Sequence, residues 1–258
     1  MSNSKITVDH IKSFKKSKKP FVAITAYDYC SGSIIDKLDF SIVLVGDSAS
    51  MVTYGYSTTI PVSMKEMLVV CRAVTRAIKN PLVVGDMPFM SYQSSVSAAI
   101  KNAGLIIKDG GCSAVKLEGG VEITKQVEKI TSIGIPVMGH VGLTPQSVNA
   151  FSGYKTQGKN FLSAQKILDD ARALENAGAF AIVLECIPSE LSEHITNSIS
   201  IPTIGIGAGK HCDGQIQVFH DVLGLSCSPP PKHAMQYKNL NEDIVSALQK
   251  YKSDIEKF

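Results

Sequence analysis

IVLVGDS, at residues 42–48, is the first of three apolar runs that end on an acidic residue; LVVGDMPF (82–89) and AVKLEGG (114–120) are the others. Their acidic residues are Asp47, Asp86 and Glu118. Carboxylates normally lie on the solvated surface, not at the ends of buried strands. At equivalent ends of three parallel strands they would repel one another unless they bind a cation or take up protons. The pattern therefore predicts a site for a hard divalent ion with oxygen ligands, Mg²⁺ first among them.

Five further apolar runs continue the pattern along the chain. All eight runs lie at residues 21–26, 42–46, 82–86, 114–118, 136–140, 180–185, 202–206 and 215–220. Most are almost continuously hydrophobic and contain Val and Ile, which is typical of parallel strands covered on both faces. Eight such strands alternating with helices predict a (β/α)8 TIM barrel that forms one domain over residues 1–258.

Helical patterns separate these runs. They lie at residues 64–80, 94–110, 121–134, 163–178 and 239–257. Ser63 and Glu66 form a capping-box pattern before the first of them. The seventh and eighth runs are separated only by residues 207–214, which is too short for a crossover helix. We therefore expect a distorted eighth unit, with an open doubly wound sheet as the alternative.

A short amphipathic helix is predicted near the N-terminus, where Val8, Ile11 and Phe14 follow helical spacing. We expect its apolar side to dock against the barrel and its lysines to face water. The segment lacks the apolar core of a signal peptide, and no apolar stretch of the chain is long enough to span a membrane.

The amino-acid composition is typical of a globular protein with a large core. With 44% hydrophobic and 19% charged residues the chain can form a large core, and a net charge of +3 is too small to indicate a nucleic-acid partner. The six cysteines include no CxxC pair, and several lie in apolar runs. This pattern predicts reduced thiols and a cytoplasmic enzyme.

Two more charged residues lie on the predicted strands beside the acidic trio. Lys116 and Glu118 alternate within one strand and therefore face the same side, where a buried Lys needs a charged partner. Lys116 could bind a substrate carboxylate or oxyanion, or it could form a Schiff base; the neighbouring carboxylates favour the protonated, non-covalent role. Glu185 ends the sixth run and is a candidate general base or acid, the alternative being a structural ion pair with Lys or Arg.

Other segments give weaker signals. His140 ends the fifth run and could line the site or serve the scaffold. The long polar loop that follows, up to residue 160, could cover a substrate or be a plain surface loop. GIGAGKH, at 205–211, matches neither GxGxxG nor GxxxxGK, so no nucleotide site is predicted.

Several segments, taken together and in order, resemble the ketopantoate hydroxymethyltransferase family. They span roughly residues 4 to 225 and are TAYDY (25–29), VGDS (45–48), DMPFMSY (86–92), VKLEGG (115–120), GHVGLTPQSVN (139–149), GYKTQG (153–158), LECIP (184–188) and IGIGAG (204–209). The resemblance implies a barrel of the phosphoenolpyruvate/pyruvate type. It also implies transfer of a hydroxymethyl group from 5,10-methylenetetrahydrofolate to 3-methyl-2-oxobutanoate, which gives 2-dehydropantoate for pantothenate biosynthesis.

The resemblance also assigns roles to particular residues. It implies one Mg²⁺ per subunit near Asp47, Asp86 and Glu118, and substrate contacts from Asp47, Ser48, Asp86 and Lys116. Glu185 is implied as the proton acceptor, and a homodecamer as the assembly.

Two features depart from the family pattern. Ser152 stands where Gly is common, and residues 226–237 differ from the usual glycine-bearing segment, so the C-terminal edge of the site and the subunit contacts are less well defined. Two alternative functions are an Mg²⁺-dependent C–C lyase or aldolase acting on pyruvate-like acids, and a non-catalytic barrel scaffold. The KKCGH-type loop common in such lyases is absent from the sequence.

Overall fold

Eight parallel strands close into a barrel in chain order, which confirms the predicted (β/α)8 fold. A computed structural model describes residues 5–17, 19–226 and 231–258. The strands are β1 (Phe21–Thr25), β2 (Ile42–Val45), β3 (Leu82–Asp86), β4 (Ala114–Glu118), β5 (Val137–Gly142), β6 (Ala181–Glu185), β7 (Thr203–Ile206) and β8 (Gly214–Gln217). Because β1 pairs with both β2 and β8, the sheet has no open edge and the doubly wound alternative is wrong.

Helices alternate with most of these strands. They are α1 (Val8–Ser17), α2 (Tyr29–Ile35), α3 (Ala49–Val52), α4 (Met64–Ala77), α5 (Val96–Lys108), α6 (Thr124–Ser132), α7 (Phe161–Asn176), α8 (Ser189–Ser198), α9 (Phe219–Leu223) and α10 (Leu240–Ile255). The sequence pattern predicts α1, α4 to α7 and α10, and it misses α2, α3, α8 and α9. Short 3₁₀ turns follow β4 (Val121–Ile123) and β5 (Pro145–Ser147).

Alternate residues of the strands point inward and fill the barrel. Toward the amino-terminal ends these side chains are apolar and buried: Phe21, Ala23, Ile42, Leu44, Leu82, Val84, Ala114, Met138, Ala181, Val183, Ile204 and Ile216. Toward the carboxyl ends the inward side chains become polar. The barrel thus has an apolar core at the amino-terminal ends of its strands and a charged face at their carboxyl ends. The carboxyl ends form the catalytic face of such barrels.

The N-terminal helix α1 docks on the apolar end of the barrel, as predicted. Ile11 is fully buried among the inward-facing residues, and Val8 and Phe14 pack beside it. A polar contact holds the same helix, because Lys15 Nζ lies 3.0 Å from Asp213 Oδ2 and donates to the carbonyl of Thr196.

Replacing Lys15 with Met should lower the free energy of unfolding by about 1–2 kcal/mol, because a hydrogen bond to a charged, largely buried carboxylate is lost. Urea denaturation followed by circular dichroism measures this difference. Lys12→Met, at an exposed position on the same helix, is the matched control. Equal stability of the two variants would contradict a role of the Lys15 contact in docking α1.

The connection between β7 and β8 has no helix, so the predicted distortion of the eighth unit is confirmed. The chain instead makes tight turns at Gly207 (φ +62°) and Gly209 (φ +78°). At Gly209 a Cβ atom would lie 2.3 Å from Ser189 Oγ, so this position needs Gly for space as well as for conformation. These glycines therefore serve a close turn against α8.

The predicted eighth strand, 215–220, is too long at its carboxyl end. The strand ends at Gln217, and Phe219 already begins α9. The amide of Phe219 donates to Thr25 Oγ1 (3.0 Å) rather than to a neighbouring strand. The contact with Thr25 of β1, which is distant in sequence, thus accompanies the end of the eighth strand.

Helix α4 ends earlier than the pattern predicts, at Ala77 rather than near residue 80. Asp36 Oδ1 accepts hydrogen bonds from the amides of Lys79 (2.7 Å) and Asn80 (3.0 Å), which replace the bonds of a further helical turn. At the other end the capping box of Ser63 and Glu66 is confirmed.

The cysteines at positions 30, 71, 112, 186 and 212 are free thiols, in agreement with the prediction, and Cys227 lies outside the described residues. Within the described ranges, none of the helices has the length and apolarity needed to cross a membrane.

Candidate active site

Charged side chains from neighbouring strands converge at the carboxyl ends of the barrel. Asp86 and Lys116 are partners in the register of β3 and β4, and Glu118 and His140 are partners in that of β4 and β5. All four side chains are almost completely buried. The structure therefore brings these predicted residues together because the strand register places them side by side.

Lys116 occupies the centre of this cluster. Its Nζ atom lies 2.9 Å from Asp86 Oδ1 and 3.7 Å from Glu118 Oε1. Burial lowers the pKa of Lys116, but the charges of Asp86 and Glu118 outweigh burial and raise the pKa above its usual value. Lys116 is therefore a protonated, ion-paired lysine, which argues against a Schiff-base role.

His140 links Glu118 to Glu185. Its Nδ1 atom lies 3.5 Å from Glu118 Oε1, and its Nε2 atom lies 3.2 Å from Glu185 Oε2. Burial and Lys116 lower the pKa of His140, but contacts with Glu118 and Glu185 raise it to about 9 overall. Glu185 thus has a His as its ionic partner, not the Lys or Arg of the structural alternative, and its side chain is 14% exposed at the mouth of the site.

Asp47 and Asp86 form a close acidic pair. The amide of Asp47 donates to Asp86 Oδ2 (3.1 Å), so the two residues are held side by side. Burial, followed by the charges of Asp86 and Glu118, raises the pKa of Asp47; burial also raises the pKa of Asp86, although Lys116 opposes it. The negative charge of this pair is thus incompletely balanced by the surrounding side chains.

Gln146 is a site residue that the sequence reasoning missed. It lies in the 3₁₀ turn after β5, is 3% exposed, and its Nε2 atom donates to Asp47 Oδ2 (2.8 Å) and to the Met87 carbonyl (2.9 Å). Its backbone amide donates to Glu118 Oε2 (3.0 Å). The available signal was a polar residue directly after Pro145 at the end of a barrel strand.

Two tyrosines support the site from neighbouring segments. Tyr92 is fully buried, and its hydroxyl accepts from the Glu118 amide (3.0 Å) and lies 2.9 Å from Gln146 Oε1. The hydroxyls of Tyr27 and Ser48 share a hydrogen bond of 2.7 Å. Ser48 is therefore positioned at the rim beside Asp47, while Tyr92 braces the strand end that carries Glu118.

The long loop after β5 lies over the same face. Tyr154 is about half exposed, with its hydroxyl 3.8 Å from Met51 Sδ. Burial, followed by the charges of Asp47, Glu185 and Glu118, raises the pKa of Tyr154. The backbone amide of Gln157 donates to the Cys186 carbonyl (2.8 Å) and anchors the end of the loop beside β6. The loop can thus reach the site, and its role as a lid stays a prediction.

Among the described residues, three that are not Gly have a positive φ, and each follows a barrel strand: Met90 (φ +64°) after β3, Ser152 after β5 and Cys186 after β6. Cys186, which directly follows Glu185, has φ +47°, and Ser152 in the loop has φ +55°. Such conformations cost about 1–3 kcal/mol and are often found at functional sites. Gly, which the resemblance implies at this position, would adopt the conformation of Ser152 without strain.

The cluster suits a hard cation by its charge and donor atoms. Among the described residues, the cationic groups beside the four carboxylates are Lys116 and His140, and Asp86 Oδ1 and Glu118 Oε1 are contacted by these ion pairs alone. No three His, Cys, Asp or Glu side chains in the described ranges are grouped so as to hold an ion by themselves. Lys116 lies between Asp86 and Glu118, so Asp47 and Asp86 are the better-placed pair. Mg²⁺ commonly uses one or two carboxylates, with water or substrate completing its shell.

Comparison with known proteins gives a consistent result. The family model of ketopantoate hydroxymethyltransferase matches residues 5–258. The 3-methyl-2-oxobutanoate hydroxymethyltransferase of Carboxydothermus hydrogenoformans is 53% identical over 97% of this chain and 91% of its own length. The enzymes of that name from Dehalococcoides mccartyi and Clostridium acetobutylicum are 50% and 49% identical over 97% of this chain and 90% and 91% of their own lengths.

Solved structures with similar folds are much more distant in sequence. A phosphonopyruvate hydrolase has a TM-score of 0.63 and 14% identity over 98% of this chain and 88% of its own. A phosphoenolpyruvate phosphomutase from Streptomyces platensis has a TM-score of 0.65 and 12% identity, covering 97% and 88%. At these identities the likeness concerns the fold alone, and it agrees with the (β/α)8 barrel.

Proposed function

Because the chain belongs to the ketopantoate hydroxymethyltransferase family, we propose that it takes the hydroxymethyl carbon from 5,10-methylenetetrahydrofolate and uses one Mg²⁺ per subunit beside Asp47 and Asp86. Membership already identifies an enzyme that transfers a hydroxymethyl group to 3-methyl-2-oxobutanoate in pantothenate biosynthesis. The one-carbon donor, the metal and the residue roles are the proposal.

One observation carries the proposal: a buried acidic pair lies beside a buried, protonated lysine at the catalytic face. Asp47 and Asp86 supply oxygen donors, and Lys116 Nζ lies 2.9 Å from Asp86. A 2-oxo acid carries a carboxylate and a keto oxygen, so it can meet both a cation and an ammonium group. When bound, Mg²⁺ would supply Lewis-acid chemistry at these two substrate oxygens.

The protein side chains have separate roles in this proposal. Asp47 and Asp86 hold the ion, and Glu118 supports it from a greater distance, through water. Lys116 offsets negative charge on the substrate as its C3 atom loses a proton, and it does so from a buried position where a fixed charge is most effective. Ser48 donates to the substrate carboxylate from the rim.

Glu185 is the proposed proton acceptor. Its carboxylate is at the mouth of the site and is oriented by His140 Nε2 at 3.2 Å. A positioned carboxylate of this kind can take the C3 proton, or serve a later proton transfer on the folate. The substrate carbanion would then form the new C–C bond to the methylene carbon of the folate. Both bonds from that carbon to folate nitrogens break, one water supplies the hydroxyl oxygen of the product, and the C3 proton and one proton of that water go to the two nitrogens of the released tetrahydrofolate.

The experiment for this function is hydrogen exchange at C3 of 3-methyl-2-oxobutanoate in D₂O, followed by NMR without folate. We expect exchange with Mg²⁺ and its loss with EDTA, because the proposed site acidifies C3 before the folate reacts. Addition of 5,10-methylenetetrahydrofolate should then give 2-dehydropantoate. Folded protein with Mg²⁺ that exchanges no C3 proton would count against the mechanism.

The two alternative functions receive no comparable support. The relatives at about 50% identity are hydroxymethyltransferases, whereas the lyase-like and hydrolase barrels resemble this chain at 14% identity or less. A non-catalytic scaffold is contradicted by membership of an enzyme family.

The assembly and the location are also part of the proposal. Helix α10 has no buried residue and leaves Ile244, Val245 and Leu248 about half exposed or more, which is consistent with burial against other subunits. The homodecamer stays a prediction that comes from the family. The cytoplasmic location stays a prediction that comes from the cysteine pattern.

A further inference from the structure

An uncharged residue, Gln146, lies among the acidic side chains of the site and donates hydrogen bonds to two of their carboxylates. The side-chain amide reaches Asp47, and the backbone amide of the same residue reaches Glu118. Asp47 lies two residues after the end of β2, whereas Glu118 is the last residue of β4. Gln146 therefore links two parts of the site that come from different segments of the chain.

The orientation of the Gln146 amide is determined by its surroundings. The Oε1 atom lies 2.9 Å from the Tyr92 hydroxyl and accepts from Gln93 Nε2 at 3.1 Å. The Nε2 atom faces two acceptors, Asp47 Oδ2 and the Met87 carbonyl. If the amide were flipped, its NH2 group would face the Gln93 NH2 group and its oxygen would face the Asp47 carboxylate. Only the observed orientation therefore satisfies every contact. The donor toward Asp47 is thus built in before any ligand binds.

The position of Gln146 in the chain connects the acidic site to the loop after β5. It belongs to the 3₁₀ turn Pro145–Ser147, which begins the long loop over the catalytic face. The first turn of the loop is thereby attached to the carboxylate of Asp47, 99 residues earlier in the sequence. Movement of that turn cannot occur without breaking a buried hydrogen bond to the acidic pair.

We propose that Gln146 is a positioning residue that holds the Asp47 carboxylate in the orientation needed for the divalent ion and couples it to the loop after β5. This inference rests on the proposed function, because it assigns Asp47 to the metal. Outer partners of metal ligands typically change metal affinity or activity by about 10- to 100-fold when they are removed. Gln146 has the geometry of such a partner.

The test is Gln146→Met, which keeps length and removes both polar ends. We expect Mn²⁺, titrated by EPR without substrate, to bind about 10- to 100-fold more weakly, since Asp47 loses its fixed donor. The KM for 3-methyl-2-oxobutanoate should rise, and kcat at saturating Mn²⁺ should change less. Circular dichroism and thermal unfolding verify that the variant is folded.

Two further variants separate positioning from general destabilisation. Thr203→Val removes a fully buried, hydrogen-bonded side chain at the opposite end of the barrel and should leave Mn²⁺ affinity unchanged. Gln93→Met removes one donor to Gln146 Oε1 without touching Asp47, and it should weaken Mn²⁺ binding by a smaller factor. In the Gln146→Met background the Gln93 substitution should have no additional effect.

Each result bears on the proposal. Folded Gln146→Met protein with wild-type Mn²⁺ affinity overturns it, and so does an equal loss of affinity in Thr203→Val. If Gln146→Met does not fold, Gln93→Met decides, and unchanged Mn²⁺ affinity there overturns the proposal. Wild-type protein that binds no Mn²⁺ and exchanges no C3 proton overturns the proposed function as well, so the two failures are distinguishable.

Discussion

Replacing Asp86 with Asn should reduce kcat/KM for 2-dehydropantoate formation by about a thousandfold or more. The substitution keeps the shape of the side chain but removes one of two proposed oxygen ligands. It also deprives Lys116 of its nearest carboxylate, at 2.9 Å. Loss of several kcal/mol of electrostatic stabilisation corresponds to roughly 10³ in rate. Steady-state kinetics over a range of Mg²⁺ concentrations, with Mn²⁺ binding measured in parallel, gives both consequences.

Asp213→Asn is the matched control for this experiment. Asp213 is also largely buried and pairs with a lysine at 3.0 Å, but it lies at the opposite end of the barrel. The control should lower stability and leave kcat/KM close to wild type. If Asp86→Asn kept the Mg²⁺ dependence and rate of the wild type, Asp86 would be excluded from the metal site.

Glu185→Gln should lower kcat by about 10²- to 10⁴-fold, the range usually associated with a general acid or base. The amide keeps a hydrogen-bonding group opposite His140 but cannot accept a proton from the substrate. Turnover and C3 exchange should be measured separately in this variant. Loss of both assigns the C3 proton to Glu185, whereas loss of turnover alone assigns a later transfer.

Glu193→Gln serves as the control for Glu185, because Glu193 lies on α8 with a side chain that is 52% exposed. It should retain normal turnover and exchange. Wild-type values for both reactions in Glu185→Gln would remove this residue from proton transfer and direct attention to another group at the mouth of the site.

The order of the strands and the gathering of the acidic residues could be predicted because both depend on simple periodicities. Continuous apolar runs indicate strands buried on both faces, and alternation along β4 places Lys116 and Glu118 on the same side. Parallel closure then brings all the strand ends to one face. These regularities require no knowledge of loop conformation.

Other details depend on contacts between distant parts of the chain, and the sequence pattern does not contain them. The early end of α4 depends on Asp36, and the end of β8 depends on Thr25. Gln146 was missed for the same reason, since its partner Asp47 is 99 residues away. The position of Lys116 between Asp86 and Glu118 follows from the register of β3 and β4, which composition cannot reveal.

The apolar core of the barrel, which Ile11 of α1 closes at the amino-terminal end, affects where protons and water can reach the site. Among the described residues, the inward-facing side chains that pack with Ile11 below Lys116 are apolar, and they give a chain of water molecules no side-chain partners. We therefore expect protons to exchange with solvent through the opposite face, where the loop after β5 lies. The site thus opens to solvent at one face of the barrel. A single loop at that face can control both the entry of substrate and the exchange of protons during the reaction.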